Sequence, residues 1–539
     1  MFKAPIQLLN NCKELTPQTI SDLQLDVLYT DILGDEHSSS VRDIWKKNYT
    51  TNTLYLKDTQ KLLGNIDNLI CGSENIDFDE IKTLFHEIKD NPSFREKYEY
   101  ITIDLFESLN SNEYMLQLIS MYSLTSPLLS LLTPFIMLII PFFILRVRGS
   151  SIELSAYLAE LKKVLSMLPI GRVFDFKNLP MDQRGFALFS VILYFVQVYQ
   201  NSVTCYKFYK NSHKMVNDLH KFANYYHATA DRMEKIIDTC NTQSLNAYFG
   251  FCELLKEKIT YLKEKADNFL AIHNYVFKDM GLKMKYYFDL YNDTELEEIT
   301  RYTFEFHEYF NNMQTISCLN LAKCSFSKKH TRLTNSYYGI LRNEDPIKNT
   351  VKLTDKNIIL SGPNASGKTT LLKSTAINLI LSQQFGRGFY DKAKINPHDH
   401  FHCYINIPDT CDRDSLFQAE ARRCRNIISQ INSHPGQRHL CLFDELFSGT
   451  NPYEAVASAT GYLEHLNKNK NIRFILTTHY LDLCQHFNQD NTNVDNYTLE
   501  RKYIMDLGIS KVRGGITVLE ELDFPEDILK TAKKMVSLN

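Results

Sequence analysis

The sequence predicts an α + α/β chain: an all-helical N-terminal region, then a parallel α/β domain built on a phosphate-binding loop. Three observations carry this. Long amphipathic stretches such as "MVNDLHKFANYYHATADRMEKIIDTC" (215–240) and "FCELLKEKITYLKEKADNFLAIHNYVF" (251–277) lie in the first part of the chain. From roughly 346 onward short apolar runs, "NIILSG", "HLCLFDE" and "RFILTTH", alternate with helical stretches, the pattern of a parallel sheet. Directly after the first run comes "GPNASGKTT" (362–370), which fits G-x-x-x-x-G-K-[ST].

Composition bounds the rest. With 539 residues, 44% hydrophobic and 23% charged, the chain is long enough for several ordinary folded domains. Gly (19) and Pro (15) are scarce beside Tyr (31) and Phe (33), which favours long helices over loop-rich β structure. A net charge of −3 gives no global basic field, so any nucleic-acid contact needs a local patch. The 12 cysteines form no C-x-x-C pair and read as reduced thiols rather than a disulfide frame or zinc site. "MFKAPIQLLNNCKELT" has no long apolar core and is not a secretory signal. The expectation is a cytosolic or nuclear-like intracellular compartment, with membrane association open.

In chain order, residues 1–110 form a helical, lever-like region, with helical spacing in "LQLDVLYTDILG" (23–34) and "TQKLLGNIDNLI" (59–70). Residues 111–206 are different in kind. No charge occurs from Tyr114 to Leu145, and a second uncharged run covers 185–206. About 20 apolar residues suffice to span a bilayer. Three readings are open: a transmembrane hairpin, buried helices of a lever core, or an interfacial or re-entrant anchor. The stretch between the runs carries Arg146, Arg148, Lys162, Lys163, Arg172, Lys177 and Arg184. The positive-inside rule argues from these against the first reading, whereas anionic lipid would attract them in the third. Pro127, Pro134 and Pro141 are unusual but tolerable in a membrane helix. Membrane contact through 124–146 and 185–206 is therefore one expected partner. Residues 207–345 form helical arms and the connection onward. Lys207, Lys210 and Lys214 are candidate phosphate contacts, against the plainer reading of a solvated helix face.

Residues 346–539 form the P-loop α/β domain. Ile358, Ile359 and Leu360 make the strand entering the loop, and a helix leaves from Thr369. Gly362 and Gly367 let backbone N–H groups face phosphates at a helix N-terminus. Pro363, Asn364, Ala365, Ser366 and Thr370 complete the candidate ATP-binding loop, Lys368 supplies a point charge, and Thr369 offers a hydroxyl to Mg²⁺. "HLCLFDE" puts Asp444 at a strand's carboxyl end, where it would hold Mg²⁺ through water, with Glu445 polarising the attacking water. The alternative for this pair is a solvated helix cap. His479 ends "RFILTTH", where γ-phosphate sensors sit; a structural histidine is the alternative.

Taken together, "GPNASGKTT", "FDELFSGTNPYEA" (443–455) and "TTHYLDL" (477–483) resemble the ATPase domain of the MutS mismatch-repair family, an ABC-type ATPase. "SLFQAE" (415–420) fits the family's S-x-F-x-x-E in place of L-S-G-G-Q, and "GGITVLEELDFPEDILKTAKKM" (514–535) is similar to its closing segment. The resemblance implies Asn364 as the loop Asn, "SGTNPYEA" as a segment reaching across a dimer, and Ser415 contacting the γ-phosphate of the other subunit's ATP. Ser415 is also a good N-cap, as is Asp414. The lever-like segment begins near residue 25 and leaves no room for the family's mismatch-sensing domain, so the chain resembles the short forms of large DNA viruses and some bacteria. The expected function is an ATP hydrolase acting as a homodimer, or a heterodimer with a related subunit, that opens and closes helical arms around duplex DNA in repair or maintenance. The alternative is a membrane-associated ATPase acting on a protein or lipid partner without DNA. "NEDPIKN" (343–349) lies where the family places an adenine-stacking aromatic and has none; Pro346 or Ile347 would substitute.

Overall fold

The computed structural model describes residues 2–34, 39–66, 77–149, 153–167, 181–273, 275, 278–354, 356–405, 407, 415–488, 493–500, 503–510, 519–520 and 522–537. It mixes helix and sheet and divides into two compact units, each discontinuous in sequence. One comprises Met1–Gly72, Arg232–Glu257 and Arg301–Asn539, the other Ser73–Asp231 and Lys258–Thr300. The linear boundaries at 110, 206 and 345 stand as a proposal about functional parts.

The first unit is organised by a six-stranded sheet. Its strands are β1 (Asn357–Ser361), β2 (His400–Tyr404), β3 (His439–Asp444), β4 (Ile472–Thr478), β5 (Val494–Leu499) and β6 (Met505–Leu507). Their order is β6-β5-β1-β4-β3-β2, parallel except for the β5–β6 pair. The registers Ser361↔Thr478 and Asp444↔Thr477 bring three strand ends to one edge. Leu440–Phe443 and Phe474–Leu476 are buried on both faces, as near-continuous apolar runs in a parallel sheet must be. The expected strands "NIILSG", "HLCLFDE" and "RFILTTH" are β1, β3 and β4. β2, β5 and β6 were not expected, nor was a smaller sheet of Asn349–Leu353, Thr331–Ser336, Lys392–Ile395, Ala322–Phe326 and Arg387–Gly388.

The second unit is helical. Its long elements are α1 (Glu113–Val147), α2 (Leu154–Met167), α3 (Met181–Thr242) and α4 (Phe249–Leu270), of which α3 and α4 also run into the first unit. The second amphipathic helix ends at Leu270 rather than 277; of its expected tail, 274, 276 and 277 lie outside the described residues. The unit's core is aromatic: the Phe94 ring stacks on Tyr291 at 4.2 Å and Tyr100 at 5.5 Å, and Tyr287 donates to the Asp218 carboxylate at 3.0 Å. The start of α1 belongs to this core. Gly281 packs so closely against it that a Cβ would stand 2.2 Å from the Glu113 carbonyl oxygen.

Both apolar runs are helical, α1 holding Pro127, Pro134 and Pro141 within it. In the most apolar window of each helix only 22% and 6% of residues are buried. Buried lever-core helices would show more burial than the described residues of these windows have. Arg172 and Lys177 of the basic stretch lie outside the described residues.

Candidate active site

At the carboxyl edge of the sheet, β1 leads through residues 362–367 into α5 (Lys368–Phe385). The loop turns on two left-handed residues, Ala365 (φ 60) and Gly367 (φ 85). A Cβ at Gly362 would meet the Leu499 carbonyl oxygen at 2.4 Å, so that position tolerates no side chain. Lys368 folds into the loop, its Nζ donating to the carbonyls of Gly362 (3.0 Å) and Pro363 (2.8 Å). Burial pulls its pKa down, opposed by Glu445 and Asp444. The Ser366 hydroxyl is buried without a partner among the described residues. A tight loop at a helix N-terminus with a buried cation and an orphan hydroxyl is chemically suited to phosphate.

Asp444 joins this loop to the neighbouring strands. One carboxylate oxygen accepts from Thr369 at 2.8 Å, and the other accepts from Thr477. The Thr369 hydroxyl and the Asp444 carboxylate are hard oxygen donors of the kind Mg²⁺ takes alongside waters and phosphate oxygens. Among the described residues no three His, Cys, Asp or Glu side chains converge as a dedicated metal cage. The donor set therefore fits Mg²⁺ held jointly with a phosphate ligand. Glu445 follows in left-handed backbone (φ 53), with its carboxylate 3.4 Å from His479 Nδ1 and 3.9 Å from Lys368 Nζ. The His479 hydrogen bond lowers the Glu445 pKa, burial opposes it, and Lys368 adds to the lowering. The His479 ring packs on Tyr480 at 4.2 Å. Thus Lys368, Thr369, Asp444, Glu445 and His479, drawn from three strand ends, meet in one place.

Ser415 lies elsewhere on this unit. It N-caps α6 (Leu416–Ser433): its hydroxyl accepts from Gln418 N at 3.3 Å, and Gln418 accepts from Ser415 N at 3.1 Å. Asp414 lies outside the described residues. The rest of "SLFQAE" reaches the "SGTNPYEA" segment. Buried Glu420 accepts from the Ser448 hydroxyl (3.1 Å) and Gly449 N (3.2 Å), and the Phe417 ring meets Phe447 at 5.6 Å. Asn451 caps α7 (Pro452–Asn467), which leaves Tyr453 almost wholly exposed.

One group of lining residues escaped the sequence reading. A cavity of about 340 Å³ borders the loop at Gly367 and Thr370. Pro346 and Ile347 line it, as do three aromatics, Tyr337, Tyr338 and Tyr503. Its size and mostly apolar wall suit a flat heterocycle. Lys207 and Lys210 are exposed on α3, and Lys214 pairs with Glu87 at 3.8 Å.

Residues 358–538 match the family model described as MutS domain V. Over these residues the chain carries a MutS domain V. It is 27% identical over 228 residues to "Endonuclease MutS2" of Thermus thermophilus, covering 40% of this chain and 29% of that protein. It is 28% identical over 195 residues to "DNA mismatch repair protein MutS" of Phocaeicola vulgatus, covering 34% and 22%. A MutS2 of Staphylococcus aureus matches at 27% over 216 residues, covering 38% and 27%. The chain spans less than a third of the length of these curated relatives. Of the segment similar to the family's close, 514–518 and Glu521 lie outside the described residues; MutS domain V ends here in the helix Glu526–Ser537.

Proposed function

We propose that this MutS-family chain hydrolyses ATP and uses it to open and close helical arms around duplex DNA in repair or maintenance. It would act as a homodimer, or as a heterodimer with a related subunit. The observation that supports this most is the contact of Thr369 with Asp444 at 2.8 Å beside the Glu445–His479 pair. In this reading residues 362–370 cradle the phosphates, and Lys368 leaves the loop carbonyls for them. Thr369 and Asp444 hold Mg²⁺, which when bound supplies charge neutralisation at the phosphate oxygens. Glu445 orients a water and takes its proton as the water oxygen bonds to the γ-phosphorus. The bond to the β-phosphate bridging oxygen then breaks, giving ADP and phosphate. His479 keeps Glu445 ionised and close to the γ-phosphate. Ser415 reaches the ATP of the other subunit from its helix N-terminus, where a phosphate is favoured. The names of the relatives, a DNA mismatch repair protein and an endonuclease, support DNA as the partner.

The test is ATP hydrolysis by the purified chain with and without duplex DNA, beside Glu445→Gln. The expected result is turnover raised by DNA, an effect lost at high salt, and a fall of roughly 10²–10³-fold in the variant with ATP binding retained. Turnover indifferent to DNA at every salt concentration would overturn the DNA partner. Full activity in Glu445→Gln would overturn the assignment of the site.

A further inference from the structure

The outer part of α1 and the first part of α3 present a surface that water does not suit. From Leu128 to Leu145 every exposed side chain described on α1 is apolar, among them Leu128, Phe135, Ile139 and Phe143. At 100° per residue these exposed positions cover about half the helix circumference. From Phe186 to Val196 the exposed side chains of α3 are likewise all apolar.

Several polar atoms within this hairpin are satisfied internally. A proline leaves the carbonyl four residues earlier without its helical donor. Pro127 frees the Ser123 carbonyl, and the Ser126 hydroxyl donates to it at 3.2 Å. Pro134 frees the Ser130 carbonyl, and the Tyr194 hydroxyl donates to it from α3 at 2.8 Å. Beside Pro141, Tyr157 of α2 donates to the Leu138 carbonyl at 2.7 Å. Thr125, Ser130, Thr133 and Ser190 return their hydroxyls to carbonyls of their own helices. Hydroxyl bonds within one helix also occur outside the hairpin, as at Thr239 and Thr531. The interhelical bonds from Tyr194 and Tyr157, to carbonyls freed by or beside the prolines, are what a helix in hydrocarbon requires.

The length and the ends agree. Asn201 bonds Ser130 at 2.6 Å, and Cys205 approaches the Leu124 carbonyl at 3.5 Å, which sets an antiparallel register. That register puts exposed Tyr122 level with exposed Tyr206, and Arg146 level with Arg184. The two levels are roughly 36 Å apart at 1.5 Å per residue, against about 30 Å for a hydrocarbon layer. Tyrosines at one level and arginines at the other are the side chains that sit at lipid headgroups. From Leu128 to Leu145 and from Phe186 to Val196 the exposed side chains described are apolar, with no polar group among them for a protein partner to bond.

We propose that this hairpin, α1 from Leu128 with α3 to Val196, inserts into the hydrocarbon layer of an anionic lipid bilayer and tethers the chain to it. It does so against the positive-inside expectation, because the exposed apolar faces and their length outweigh the charge of the connection between the helices. The arginine end, at Arg146, Arg148 and Arg184, lies at the lipid phosphates, with Arg148 also paired to Glu160 at 3.0 Å. The tether stands apart from the DNA reading and holds whether or not the arms close on a duplex.

Flotation tests it. The full chain is mixed with vesicles of phosphatidylcholine and phosphatidylglycerol and compared with Leu132→Lys/Ile136→Lys/Ile192→Lys, three exposed positions. The wild type floats with the vesicles and stays bound at high salt. The triple variant loses at least about tenfold in partitioning, because a lysine is costly at bilayer depth, while its circular dichroism and ATP binding stay unchanged. A wild-type chain that remains monodisperse without detergent and does not float overturns the proposal. So does binding abolished by salt or indifferent to the lysines. A chain that self-associates through this face without binding vesicles overturns it in favour of a second copy as the occupant.

Discussion

Glu445 has left-handed backbone at φ 53, which a non-glycine residue adopts only under local constraint. That turn aims its carboxylate back toward the loop, to within 3.4 Å of His479 Nδ1 and 3.9 Å of Lys368 Nζ. His479 is the largest cause of the lowered Glu445 pKa, and burial pushes the other way. Removing the imidazole leaves burial to dominate, so the carboxyl pKa rises. A base must be ionised to act, so the acid limb of the rate profile moves with it. His479→Ala is therefore expected to shift that limb to higher pH and to cut turnover roughly tenfold near neutrality. His479→Gln keeps a donor and should recover part of the shift. Turnover measured across pH checks this: a lower rate with an unmoved acid limb would leave His479 outside the environment of the base.

At the scale of elements, the S-x-F-x-x-E stretch is a clamp on a neighbouring segment as much as a bearer of Ser415. Glu420 is buried, and both its carboxylate oxygens are taken by Ser448 and Gly449. Glu420→Ala leaves the Gly449 N–H and the Ser448 hydroxyl without their acceptor. The expected loss is about 1–3 kcal/mol in urea unfolding, with the 447–451 segment loosened. An unchanged unfolding midpoint would show that the segment holds without Glu420. Strands β1, β3 and β4 were legible because burial on both faces forces long apolar runs. His400–Tyr404 was not legible: "HFHCY" places histidines where an apolar run is expected, and only the pairing of His402 with His439 across strands makes them fit. β5, "VDNYTL", alternates with polar residues and lies between β1 and the short β6. The loop, Asp444, Glu445 and His479 were legible because each ends or follows one apolar run. Tyr337, Tyr338 and Tyr503 were not, since only the fold brings residues so far apart in sequence to one cavity.

Across the molecule, ionisable groups collect at both ends of the six-stranded sheet, and the end away from the loop sets a pH limit on stability. His400 and His402 on β2 face His439 on β3, with His402 Nε2 and His439 Nδ1 3.0 Å apart. His398 is buried beside them with both ring nitrogens unpartnered among the described residues. Burial lowers the pKa of all four, and the neighbouring charges of Arg438, Arg473 and Lys13 and the other imidazoles add to it. Asp399 opposes the lowering at His400 and His439. His402 is pushed down to about 3, and His398 lies well below the ordinary range. The unfolded chain takes up these protons near pH 6.5, and the folded chain does not. Stability is thus full above about pH 6.5 and falls as pH drops through that value toward the folded pKa. A histidine with a folded pKa of about 3 costs about 2 kcal/mol at pH 5, so His402 alone removes a noticeable share of a typical 5–15 kcal/mol, and His398 acts in the same direction. The urea midpoint should drop steeply between pH 7 and pH 5, before most carboxylates titrate. His402→Asn should flatten the slope even if it lowers the midpoint at pH 7. A midpoint flat across that interval would mean that these imidazoles take up protons within the folded sheet.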